Sequence, residues 1–244
     1  MANVQFQQYK VWDLPTRVFH WVNFITITSL IFVGLIMLFK KELGITSLEA
    51  KVSLKEIHVI IGYLFVLNFT WRIIWGFIGN KYARWKQLIP HRGFKDELRS
   101  YISSARNGEP LQYTGHNPMG RLAIIFIFLL MTTMMVTGLI RAGTDIYYPP
   151  FGSLAADYIT VPGTDPASIQ PYVATGTDEE KVKNLKAFKG PFGTIHIYTS
   201  YVLMLMIVLH IFFVVRAEIR EGGSLITAMF TGKKVLTKKP VDLD

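Results

Sequence analysis

Residues 193–215 read GTIHIYTSYVLMLMIVLHIFFVV, an apolar stretch carrying two histidines, His196 and His210, fourteen positions apart. An α-helix turns about 100° and rises about 1.5 Å per residue, so fourteen steps bring both imidazoles to nearly one face, roughly 21 Å apart along the axis. The stretch is long enough to cross a bilayer. In hydrocarbon an unpaired polar group costs several kcal/mol, so each imidazole needs a partner, and ionisable residues at such depths are functional candidates by default. One helix of this kind offers a ligand to each of two cofactors at different depths, and haem iron accepts histidine ligands.

Working outward, half of the 244 residues are hydrophobic. They gather into four runs, Val18 to Phe39, Ile57 to Gly79, Arg121 to Ile140 and Gly193 to Val215. Each holds about 20 residues or more, the length that spans a hydrocarbon layer. The expected architecture is all-α: a four-helix transmembrane bundle forming a single domain over residues 1–244, which excludes a soluble enzyme. The first run is longer than a signal-peptide core and opens on bulky aromatics, so it is expected to remain in the mature protein. The chain has no cysteine. That rules out disulfides, iron–sulfur clusters, thiolate-ligated haem and covalent c-type haem attachment. No glycine-rich nucleotide loop stands between a strand and a helix.

Charge sets the expected orientation. Lys81, Arg84, Lys86, Arg92, Lys95, Arg99 and Arg106 follow the second run, and Arg216, Arg220, Lys233, Lys234, Lys238 and Lys239 follow the fourth. The positive-inside rule puts both segments, and both termini, in the cytoplasm. Residues 141–192, rich in Pro, Gly, Asp and Thr, then form an outer-face loop, read as irregular. The net charge of +9 is mostly this asymmetry, and nucleic-acid binding is not expected, since the charges do not line one face of a folded module.

Orientation pairs the histidines. His20, near the start of helix one, and His210, near the end of helix four, fall at the inner level; His58 and His196 fall at the outer level. Two bis-histidine haem b sites stacked across the bilayer are the economical reading. Fourteen residues after His20 comes Gly34, and fourteen after His58 comes Arg72, each on its histidine's face at the other level. A glycine there leaves room for a porphyrin plane. Arg72 could pair with a haem propionate. Gly62, one turn from His58, and Gly138 on helix three could also make room, and Arg17 beside His20 completes the candidate contacts.

Plainer readings stand beside these. A helix-end histidine such as His20 can anchor at an interface, glycines can simply permit close helix packing, and Arg72 can snorkel to headgroups. His91 and His116 read as solvated loop histidines. Trp12, Trp21, Trp75 and Trp85 fit an aromatic interface belt.

The segments VWDLPTRVFHWVNF, RIIWGFIGNKYAR and GHNPMGRLA, the paired histidines of the fourth run with VVRAEIREG after them, and SLITAMFTGKKV together resemble the di-haem cytochrome b subunit of membrane-bound nickel–iron hydrogenases. Related subunits anchor formate dehydrogenases. The resemblance covers nearly the whole chain except the loop before the fourth run. It implies His20, His58, His196 and His210 as axial ligands, haem b as cofactor and quinone as electron carrier. It also implies the bacterial inner membrane as location. Such cytochromes tend to carry a further histidine where this chain has Gly193, and the 141–192 loop departs from the pattern.

The expected role is electron transfer between a periplasmic hydrogenase-like partner and the quinone pool, with membrane anchoring of that partner. No catalytic residue is identified beyond a quinone site, expected near His210. The alternatives are a stand-alone carrier between quinol and a soluble c-type cytochrome, and a haem-free transporter or proton channel.

Overall fold

In the computed structural model, which describes residues 6–221 and 224–243, four helices are long and apolar enough to cross a membrane. They are α1 (Leu14–Leu38), α2 (Leu48–Ile78), α4 (Pro118–Ile146) and α6 (Glu179–Glu221). Between and beyond them lie strand β1 (Gln7–Lys10), helix α3 (Phe94–Arg106), helix α5 (Gly152–Ile159), helix α7 (Leu225–Thr231) and strand β2 (Lys233–Leu236). The all-α, four-span architecture is the expected one.

The helices outrun the apolar runs that announced them. α2 begins nine residues before Ile57 and α6 fourteen before Gly193, because hydropathy marks only the portion in hydrocarbon while backbone hydrogen bonding continues into water. The side chains of the spans are inside-out relative to a soluble protein. Phe32, Leu67, Phe77 and Val208 are each more than 60% exposed, whereas Thr26, Arg72 and Thr137 are buried. Apolar surface on this scale is stable only against lipid or a partner.

The chain packs as two compact units, each drawing on all four long helices. Unit 1 comprises residues 1–24, 67–129 and 205–244. Asp13 caps α1: its Oδ1 accepts from the Thr16 backbone N–H at 3.0 Å, and its Oδ2 from the Trp75 indole at 3.0 Å. Burial pushes the Asp13 carboxyl up, but hydrogen bonds from Thr16, Trp75 and Asn80 outweigh it and hold the pKa low. Pro15 at the second helical position costs nothing, since its missing N–H has no intrahelical acceptor. β1 and β2 pair antiparallel, with Gln7 opposite Leu236 and Lys10 opposite Lys233.

The tail beyond β2 is laced to residues 112–115. Asp242 accepts from the Thr114 and Gly115 N–H groups at 2.7 and 2.8 Å, and Lys234 donates to the Gly115 carbonyl at 2.7 Å. The two segments expected in the cytoplasm therefore share one folded unit. Trp12, Trp21, Trp75 and Trp85 also take part in this packing. Trp12 is 6% exposed among Val11 and Ala228, while the indoles of Trp21 and Trp85 donate to the carbonyls of Met229 and Ile73.

Unit 2 comprises residues 25–66 and 130–204. The 141–192 segment, read as irregular, is mostly ordered: α4 runs to Ile146, α5 covers 152–159, and α6 begins at Glu179. Between α5 and α6 the chain is pinned by a Thr160–Thr177 bridge and by the Asp178 N–H on the Ile159 carbonyl at 2.8 Å. Asp178 then caps α6 through the Lys181 N–H at 3.0 Å, and Glu179 and Glu180 suit the positive end of the helix dipole. Proline and glycine content signalled turns here, but these short-range caps keep the turns compact.

Candidate functional site

Unit 2 brings His58 of α2 and His196 of α6 together, with ring centres 6.3 Å apart and planes 72° apart. Two imidazoles that hold one metal from opposite sides, each nitrogen about 2 Å from it, leave ring centres about this far apart. Small residues flank the pair. A Cβ at Gly34 would lie 3.6 Å from His58 Cε1, and one at Gly138 would lie 3.4 Å from His196 Cε1. A Cβ at Gly62 would meet open space.

The hydrogen bonds of His196 fix its tautomer. Thr137 Oγ1 donates to the Thr133 carbonyl at 2.6 Å, so its proton is committed, and it lies 2.8 Å from His196 Nδ1. Nδ1 must then be the protonated nitrogen, and Nε2 keeps its lone pair for a ligand. His58 Nδ1 is buried without a hydrogen-bond partner among the described residues. Thr137 was missed in the sequence because a threonine in an apolar run ordinarily back-bonds to its own helix.

Unit 1 holds His20 of α1 and His210 of α6, close enough to interact electrostatically. The His20 ring stands edge-on to Trp21 at 5.2 Å, and its Nδ1 is likewise buried without a partner among the described residues. Arg72 is 5% exposed, which overturns snorkelling. Its guanidinium lies over Trp85 at 5.1 Å and Phe128 at 5.4 Å, Nη2 donates to the Ala83 carbonyl at 3.0 Å, and Nη1 is buried and unpaired. An uncompensated buried donor of this kind asks for an anion. Arg17 donates to the Phe230 carbonyl through Nη1, leaving its Nε buried and unpaired.

His91 is exposed as expected, but His116 is not a solvated loop residue. Its ring lies 4.7 Å from that of Trp12. Burial, with the charges of Lys234, Arg72 and Arg121 and with His210, pushes its pKa down to about 3.

Among the described residues no three His, Cys, Asp or Glu side chains cluster as a protein-only metal site would need. Two imidazoles per unit leave any metal short of ligands, so the remainder must come with the cofactor. A macrocycle that supplies its own four nitrogens fits this donor set and the glycines beside His58 and His196. Fold and site together define an all-α, multi-pass membrane protein with paired, half-buried imidazoles.

The chain belongs to the prokaryotic cytochrome b561 family, whose model matches residues 11–232. Membership implies haem b. The chain is 34% identical over 139 residues to the probable Ni/Fe-hydrogenase B-type cytochrome subunit of Rhodobacter capsulatus, covering 52% of each protein. It is 25% identical over 249 residues to the corresponding protein of Rhizobium leguminosarum bv. viciae, covering 95% of this chain and 91% of the relative. The probable Ni/Fe-hydrogenase 1 B-type cytochrome subunit of Escherichia coli K12 is 29% identical over 141 residues, 53% of this chain and 58% of the relative. The chain thus spans about half the length of the first and third of these relatives.

Proposed function

We propose that this chain is the membrane electron-transfer subunit of a hydrogenase-like complex, carrying electrons between a periplasmic redox partner and the quinone pool through two haems b. The observation that carries the reading is the histidine pairing: His58 with His196 in unit 2, ring centres 6.3 Å apart, and His20 with His210 in unit 1. The similarity to probable Ni/Fe-hydrogenase B-type cytochrome subunits supports a hydrogenase as partner. Haem b, when bound, would supply a one-electron iron couple.

The residues divide the remaining work. The four histidines would hold the haem iron, with His196 oriented through Thr137. Gly34, Gly62 and Gly138 leave room for a planar group against the helices, and Arg72 and Arg17 offer charge to carboxylates in unit 1. Apolar spans keep water from both sites, which protects the couple from side reactions. On this reading charge asymmetry puts both termini in the cytoplasm, quinone binds near His210, and the loop over residues 141–192 faces the partner.

The test is haem stoichiometry combined with histidine replacement. Purified protein is expected to contain two non-covalent haems b with low-spin bis-histidine spectra. His58→Ala and His196→Ala should remove one spectral component, and His20→Ala and His210→Ala the other. Loss of the same component from His20→Ala and His196→Ala would overturn the pairing.

A further inference from the structure

The carboxylate of Asp145, on the last turn of α4, is surrounded by cations. Lys55 Nζ lies 3.0 Å from Oδ2, Lys189 Nζ lies 2.7 Å from Oδ1, and Arg141 ion-pairs with it from one turn earlier. The carboxylate is buried at 9% exposed, and its cations are partly so, Lys189 at 18%, Lys55 at 20% and Arg141 at 32%. Three cations face one carboxylate, an excess of two positive charges, and among the described residues no second carboxylate pairs with any of the three. Excess positive charge drawn partly out of water is costly, so the cluster suits an anionic ligand carrying two negative charges.

Helical register says where that ligand sits. Lys55 comes three residues before His58 on α2, and Lys189 seven before His196 on α6. Arg141 comes three residues after Gly138 and four after Thr137, which touch or bond His196 on α4. Positions three, four and seven apart share a helix face. All three cations therefore stand on the faces that meet at the His58–His196 pair, one to two turns along. Gly193 leaves room for the guanidinium as it stands: a Cβ there would fall 2.0 Å from Arg141 Nη1 and move that flexible end aside. The position where the resemblance leads one to expect a further histidine is instead given over to the Arg141 guanidinium.

We propose that Lys55, Arg141 and Lys189, held in place by Asp145, form the binding site for the two propionate carboxylates of the haem between His58 and His196. The inference rests on the haem reading of that histidine pair. Two propionates match the excess charge, and a carboxylate accepts a guanidinium in bidentate geometry.

The test compares purified wild type with Arg141→Met, Lys55→Met and the charge-conserving Arg141→Lys, each loaded with haem b or with its dimethyl ester, whose propionates are capped. Haem transfer to excess apomyoglobin reports retention. Arg141→Met and Lys55→Met should release the component assigned by His58→Ala about tenfold faster, leave the His20–His210 component unchanged, and add nothing to the already weak retention of the dimethyl ester. Arg141→Lys should recover part of the loss. Removing a cation also favours the ferric state, so a tenfold change in that equilibrium lowers the midpoint potential by about 59 mV for one electron. Equal weakening of haem and dimethyl ester would overturn the proposal. So would unchanged retention accompanied by lost association with the redox partner, which would make the cluster a docking site for an acidic segment. If His58→Ala removes no component from wild type, the haem reading itself falls, and this inference with it.

Discussion

Thr137→Val removes one oxygen and keeps the side chain's shape. In the native arrangement the Thr137 hydroxyl donates to the Thr133 carbonyl and accepts from His196 Nδ1. Valine leaves that N–H buried without an acceptor, a cost of about 1–3 kcal/mol. At about 1.4 kcal/mol per tenfold, retention of the cofactor held by His196 should fall about 5- to 150-fold. The independent expectation for losing a hydrogen-bond partner behind a metal-ligating histidine is about 10- to 100-fold, and the two ranges agree. The lost acceptor also makes the imidazole a poorer donor to ferric iron, so the midpoint potential of the same component should rise. Haem transfer to apomyoglobin and a potentiometric titration read both effects on one preparation. Thr137→Ser, which keeps the oxygen, should behave like wild type. If Thr137→Val leaves retention and potential unchanged, or moves only the component that His20→Ala removes, the tautomer assignment is refuted.

Three further outcomes are expected. Arg72→Leu should perturb the His20–His210 component more than the other, since the Arg72 guanidinium and its unpaired Nη1 lie in unit 1; spectra of the reduced protein resolve this. His116 is depressed in the fold to about 3 from an ordinary 6.5, so the unfolded chain binds the extra proton first. Stability is therefore independent of this group above about pH 6.5 and is lost as pH falls from there toward 3. Thermal unfolding in detergent between pH 7 and 5 should show this slope, and His116→Gln should flatten it. Deleting residues 164–174 with a short glycine bridge, which spares the Thr160–Thr177 bridge and the Asp178 cap, should leave haem content unchanged while weakening partner association; undiminished electron delivery at limiting partner concentration would remove this segment from the docking surface.

Much was legible in the primary structure because the bilayer imposes a strict rule on it. A span of lipid demands about 20 apolar residues, so the four helices announced themselves by hydropathy, and the absence of cysteine excluded whole classes of chemistry. The spacing of His196 and His210 followed from helix geometry alone, and the positive-inside asymmetry was enough to group His20 with His210 and His58 with His196. Gly34, chosen for its step from His20, stands against His58 because that step crosses from one level to the other.

Tertiary structure decided what depends on contacts between helices. Nothing in the run around Thr137 distinguishes a hydroxyl that bonds only its own helix from one that also orients a histidine on another. Lys55, Arg141, Asp145 and Lys189 lie on three helices up to 134 positions apart, and their excess charge exists only once they are brought to one carboxylate. His116 looked like a solvated loop residue because its burial comes from Trp12, and its low pKa from charges that include Lys234 in the C-terminal strand. The order within 141–192 rests on caps, a Thr160–Thr177 bridge and the short buried face of α5, Ala155, Ala156 and Ile159, which is too brief to stand out among the prolines and glycines around it. Hydropathy reports a residue's affinity for lipid or water, whereas a site is made by which polar atoms meet, and that is set by packing across elements.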